Sequence, residues 1–148
     1  MPDGKLISGM QGVFLVAAEP AKRKLIVAPT SRSAFGADLL ATDQTHKRAW
    51  SVEVKTNAGN ASFWLVGKHA FEMKSDSYVY VLENLRQAKR RQTEPQFYVV
   101  PSEVVASHIH TNPSKTNPDT AFHQINRCNV EKFKDNWALF TASMSAAA

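Results

Sequence analysis

The stretch from Lys47 to Thr56 constrains this chain more than any other. Its residues alternate: Trp50, Val52 and Val54 fall on one face, and Ala49, Ser51, Glu53 and Lys55 on the other. A period of two is the period of a β-strand. An acid and an amine on one face of so apolar a strand are costly to keep idle if the strand is central, because burial penalises charge. The plainer reading is a solvated face with a Glu–Lys pair worth less than about 1 kcal/mol. Either way the strand needs neighbours, and the flanking sequence supplies them.

Upstream, Leu6 to Glu19 carries Leu6, Met10, Val13, Phe14 and Ala17 at three- and four-residue steps, which predicts an amphipathic helix. Pro20 ends or kinks it, since proline lacks an N–H and its ring crowds the preceding turn. Lys24 to Ala28 reads as a strand stopped by Pro29, and Ala37 to Thr42 as a second strand. Asp43 to His46 is the turn into the alternating strand. Downstream, Phe63 to Val66 reads as a strand or the approach to a short helix near Lys68 to Met73. Ser77 to Leu85 and Gln96 to Val100 read as further strands. Pro101-Ser102-Glu103 opens a helix that runs to Ile109. The polar stretch from His108 to Asn129 has no periodicity that places it. Val130 to Phe140 reads as a closing helix with Phe133, Trp137 and Phe140 on one stripe. Helix, three strands, an insert, two strands and helices make an α/β domain: a mixed β-sheet of about five strands flanked by helices on both faces. One domain is expected over residues 1–142, with a frayed tail over 143–148.

Composition narrows the function classes. The lone Cys128 excludes an internal disulfide and a multi-cysteine zinc site. His108, His110 and His123 lack the acidic or thiol partners that would complete a zinc site. No apolar run approaches the roughly 20 residues of a membrane span, and no secretion signal is visible, so a cytoplasmic protein is expected. A net charge of +5 suits a nucleic-acid partner without requiring one.

The charged residues of the central strand acquire a partner in Asp38. It lies on the preceding strand, and pairing across the hairpin brings Asp38 beside Glu53. Two carboxylates offer hard oxygen ligands for Mg²⁺ (or Mn²⁺), which keeps several waters and completes its shell with phosphate oxygens. The Val54 carbonyl is a further candidate ligand. Lys55 is placed to orient a water or to stabilise charge on phosphorus.

Gly36-Ala37-Asp38-Leu39-Leu40, a hairpin, and Trp50-Ser51-Val52-Glu53-Val54-Lys55-Thr56 together resemble the PD-(D/E)xK, or restriction-endonuclease-like, nuclease superfamily. Its pattern is an N-terminal helix, an Asp on the second core strand, and acidic-x-Lys on the third. Phe97 to Val105 and the Trp137 region resemble small bacterial members of unassigned function. The resemblance implies a restriction-endonuclease-like fold and metal-dependent hydrolysis of nucleic acid, DNA above all, with Asp38 and Glu53 on the metal and Lys55 assisting the attacking water. It also implies a homodimer, the usual assembly of isolated nucleases of this size. Many members carry Glu directly after the glycine of the first helix. Here Val13 follows Gly12, which leaves Glu19 and Gln11 as the polar candidates nearby, and Ala37 stands where the first motif has proline. These departures keep a second class open: a non-catalytic binding module of the same fold, of an immunity or defence type.

Phosphate contacts are expected from Arg32 and Ser33, in the loop before Asp38, and from Lys68. They are also expected from the basic connection that holds Lys89, Arg90 and Arg91.

Overall fold

The computed structural model describes residues 4–31, 36–87, 93–117 and 119–141. Along the chain these form α1 (Gly4–Lys22), β1 (Ile26–Pro29), β2 (Leu39–Thr42), β3 (Ala49–Asn57), β4 (Phe63–Val66) and β5 (Tyr78–Asn84). After them come β6 (Gln96–Pro101), α2 (Ser102–Ser107), β7 (His110–Pro113), β8 (Ala121–Asn126) and α3 (Arg127–Val130). Short 3₁₀ turns occupy Lys68–Phe71 and Glu131–Phe133.

The helix α1 outlasts the expected one at both ends and contains Pro20 in its last turn. It ends at Lys22, and two residues on Lys24 adopts a left-handed backbone with φ 65°. There the Leu25 N–H donates to the Pro20 carbonyl and the Lys24 N–H to the Ala21 carbonyl. That pair of bonds is a Schellman ending, which satisfies carbonyls the helix leaves open. Gly12, Val16 and Pro20 form the buried line of α1. Gly12 is required: a Cβ there would run into Thr56 Oγ1 and Glu83 Oε2.

Among the described residues, a five-stranded sheet runs in the order β1-β2-β3-β5-β6. The pairs β1–β2, β2–β3 and β5–β6 are antiparallel, and β3–β5 is parallel. Parallel strands need a crossover, and here it consists of β4 and the Lys68–Phe71 turn. The fold class is the expected one, a mixed sheet flanked by helices. One face packs on α1 through Val16, Leu39, Trp50, Val52, Val54, Val79, Val81 and Val99, closed by Trp137 and Phe140. The opposite face buries Tyr78, Tyr80, Leu82, Tyr98 and Val100 against Trp64, Val105, Ile125 and Val130. β5 is buried at every position, as the strand between two cores must be.

Two expectations need correction. The opposite face is covered not by helices alone but by a small antiparallel sheet, β4-β8-β7, built largely from the unplaced stretch. The closing helix over Val130 to Phe140 is not one helix. Lys134 bridges Tyr98, Asp135 turns left-handed at φ 51°, and the Asp135 N–H donates to the Phe97 carbonyl. The break sends Phe133 to one core and Trp137 and Phe140 to the other, so a spacing that fits a helical stripe serves two faces instead. The tail expected over 143–148 lies outside the described residues.

Candidate active site

The site grows from a mismatch in strand length. β2 begins at Leu39, opposite Val52, while β3 continues to Asn57, so β3 projects beyond its neighbour. Asp38 stands at that step. Continuing the register by one residue sets it opposite Glu53, on the face that Leu40 and Ser51 share. Its Oδ2 accepts the Val54 N–H at 2.7 Å, which ties the carboxylate to the projecting edge.

Glu53 is only 6% exposed. Lys55 Nζ lies 2.5 Å from its Oε1, as two residues on one strand face allow. The Tyr78 hydroxyl, brought alongside by the parallel pairing of β3 with β5, donates to Oε2 at 2.6 Å. His69 Nε2, on the 3₁₀ turn, is 3.8 Å from the same oxygen.

Electrostatics follow the geometry. Burial pushes the Glu53 carboxyl up, but the Lys55 ammonium, the Tyr78 hydroxyl and His69 outweigh it and hold Glu53 below the ordinary value. Asp38 moves the other way. Burial and the negative charge of Glu53 raise it, and the Val54 N–H and Lys55 only partly offset them. Tyr78 is driven upward by burial and by its bond to Glu53, so it stays a donor. Tyr80 is pushed up to about 12, chiefly by burial.

The structure therefore brings Asp38, Glu53, Val54 and Lys55 together. It does not bring Glu19 or Gln11 to them. Glu19 pairs with Lys22 and Arg23 near the end of α1, and Gln11 is exposed and accepts from Gln87. Lys68 is exposed, next in sequence to His69. Arg32, Ser33, Lys89, Arg90 and Arg91 lie outside the described residues. The sequence reading missed Tyr78 and His69. The alternation of Tyr78 and Tyr80 put them on one face of a strand, but only the parallel pairing aims that face at Glu53.

Two clefts flank the projecting edge. One, of about 420 Å³, lies between the first half of α1 and Asp38 with Val54. The other, of about 680 Å³, is lined by Lys55, Thr56, Trp64 and Leu65. Lys5 lines both.

A leading helix, an Asp at the head of the second strand and Glu-x-Lys on the third, in a mixed sheet, form the arrangement the resemblance implies. The fold itself is a mixed five-stranded sheet flanked by helices, the α/β architecture that the resemblance implies. No family model matches the chain, and no curated protein matches it. Among solved structures it is similar to Archaeoglobus fulgidus Hjc, a Holliday junction resolvase from an archaeal hyperthermophile. The TM-score is 0.47 and the identity 9%, over 80% of this chain and 91% of that one.

The donor set bears on which ion fits. Among the described residues, no group of three or more His, Cys, Asp or Glu side chains comes together. Two oxygen donors with room for waters and substrate oxygens suit Mg²⁺ or Mn²⁺. The mutual charge that raises Asp38 is also what a divalent cation would relieve.

Proposed function

We propose that the protein hydrolyses phosphodiester bonds in nucleic acid, DNA foremost, in a reaction that depends on Mg²⁺ or Mn²⁺. The observation that carries this reading is the meeting of Asp38, Glu53 and Lys55 at the step between β2 and β3. Asp38 and Glu53 hold the cation. The Val54 carbonyl is a third donor, because a strand residue's N–H and C=O point to the same side and the Val54 N–H points to Asp38. When bound, the cation supplies positive charge that acidifies water and polarises phosphoryl oxygens. Lys55 then leaves Glu53 Oε1 to orient the attacking water and to offset charge on phosphorus, while Tyr78 keeps Oε2 fixed. Lys68 and the basic connection with Lys89, Arg90 and Arg91 contact flanking phosphates, and Arg32 and Ser33 contact those nearest Asp38. In the same reading the protein acts as a homodimer in the cytoplasm. No described helix is long and apolar enough to cross a membrane.

The test is cleavage of labelled DNA and RNA substrates with Mg²⁺, with chelator, and with Lys55→Ala. Metal-dependent cleavage lost in the variant supports the reading. Absence of cleavage with tight binding selects the second reading, a binding module of the same fold. One observation favours that second reading: the α1 residues that face Asp38 across the cleft include Gly9, Met10 and Val13 but no acid.

A further inference from the structure

The apolar stripe of α1 is only partly used by the core. Leu6, Met10 and Phe14 recur every four residues, so they line one side of the helix. They are 55%, 47% and 61% exposed. Rather than lying on a flat patch, they form one wall of the cleft of about 420 Å³ whose other side holds Asp38 and Val54. Pro29 lines the same cleft, and so does Lys5, which also reaches the neighbouring cleft beside Lys55.

This shape sorts the parts of a nucleotide. Apolar walls above a carboxylate are a poor seat for phosphate and a good one for a flat ring with π-faces and a polar edge. The volume is within the roughly 300–1,000 Å³ of small-molecule pockets. A second copy of the chain would need on the order of 800 Å² of closely fitting surface, which a concave stripe floored by charge suits badly. The cleft is also continuous with the candidate active site, since Asp38 and Val54 belong to both.

We propose that this cleft receives one unpaired nucleobase of DNA beside the scissile phosphodiester, stacked on Phe14 and flanked by Met10, with Lys5 and Lys55 on the adjoining phosphates. The inference rests on the nuclease reading and adds the substrate class. The preferred DNA carries an unpaired nucleotide at the cleavage point, because a paired base cannot leave its stack to enter the cleft without the cost of opening the duplex.

The experiment uses the full chain with Ca²⁺. Fluorescence anisotropy measures binding of a labelled duplex, the same duplex with one bulged thymine, and the single strand. Wild type should bind the bulged and single-stranded probes more tightly than the duplex. Phe14→Ala should weaken those two about tenfold and leave the duplex within about twofold, and Phe14→Trp should retain the preference. Phe14 is exposed, so both variants keep the wild-type melting transition. Equal affinity for all probes, or equal loss on all probes in Phe14→Ala, overturns this inference while metal-dependent cleavage by wild type leaves the nuclease reading standing. A dimer that Phe14→Ala dissociates in sedimentation also overturns it, by making the stripe a contact between copies. Absence of both binding and cleavage on every probe overturns the nuclease reading as well.

Discussion

Glu53 and Glu83 sit on neighbouring parallel strands, both buried, on opposite faces of one sheet. Their surroundings drive them in opposite directions. Glu53 meets an ammonium, a phenol hydroxyl and an imidazole, and stays charged. Glu83 meets only the Thr56 hydroxyl, at 3.2 Å, and its Oε1 has no hydrogen-bond partner among the described residues. Burial pushes it up to about 7, partly offset by Thr56. Burial alone therefore does not set the charge of an acid. What marks Glu53 is the convergence of donors that keep it ionised, beside a second carboxylate at an open strand edge. Glu83 lies under α1, where Gly12 lets the helix approach closely, and burial there favours its neutral form.

The contrast is tested most severely by activity. Lys55→Ala should lower cleavage by at least about 10²-fold, the scale for removing one group that stabilises developing charge. Glu83→Gln should leave cleavage within about twofold. Asp38→Asn should weaken Mn²⁺ binding in calorimetry, whereas Lys55→Ala should leave it nearly intact. Equal loss of cleavage in Lys55→Ala and Glu83→Gln would show that the two faces do not divide the labour as argued.

Stability against pH comes next in size. Glu83 is raised in the folded state, to about 7 from 4.5, so between those values the folded protein binds the extra proton. Stability from this group is therefore fully present below the unfolded value and declines as pH rises through about 7, by about 3 kcal/mol in all. Glu53 is lowered, so its contribution is present above the unfolded value and lost as pH falls through the folded one. Thermal melts from about pH 5 to about pH 9 should show the decline in wild type, and Glu83→Gln should remove most of it. Asp38 is raised too, chiefly by burial, so its contribution also declines as pH rises through its folded value, and Mg²⁺ should relieve that decline. If wild-type stability is flat across this range, Glu83 is not the neutral group described.

Single hydroxyls sharpen the comparison further. Tyr78→Phe removes a bond to a charged carboxylate and should cost about 2 kcal/mol. It should also raise the Glu53 pKa and shift the pH profile of cleavage. Thr56→Val removes a bond to an acid that is half neutral near pH 7, and should cost about 1 kcal/mol. Chemical denaturation of both variants gives the order, and a larger loss for Thr56→Val would reverse the assignment of charge.

These two faces differ in how far they could be read from sequence. The alternation of Trp50, Val52 and Val54 with Ser51, Glu53 and Lys55 is a local pattern, and the turn at Asp43 to His46 is local too. Asp38, Glu53 and Lys55 could therefore be grouped before any pairing was seen. Tyr78 and His69 reach Glu53 through the β3–β5 crossover, and no local pattern encodes which strand a parallel partner will be. Glu83 falls inside the strand expected over Ser77 to Leu85, and nothing in its local sequence announces that Gly12 packs above it. The stretch from His108 to Asn129 stayed opaque because β7 is mostly exposed and β8 buries only Ile125 fully, so neither shows the inside–outside alternation that reveals a strand. Pro113 sits at the end of β7, at the outer edge of the small sheet, the place a sheet tolerates proline.

A third carboxylate gives the smallest expected effect and sets the scale for the other two. Glu19 is desolvated in part, yet its bonds to Lys22 at 2.8 Å and Arg23 at 2.9 Å hold its carboxyl below the ordinary value. Both pairs are helical neighbours at the end of α1, and the Lys22 side chain is 66% exposed. Water screens such pairs, and holding the long side chains in place costs entropy. Glu19→Gln should therefore destabilise by less than about 1 kcal/mol, and by less still in high salt. The sign is that of a lowered acid: the contribution is present above the unfolded pKa and disappears as pH falls through the folded one. Mn²⁺ affinity and cleavage should be unchanged, because Glu19 lies six residues beyond Val13 on α1, roughly 9 Å along the axis. Calorimetry that found weaker Mn²⁺ binding in Glu19→Gln would place the helix acid at the metal after all. The reason for reading α1 as a wall of the substrate cleft, with Val13 in place of an acid, would then fall.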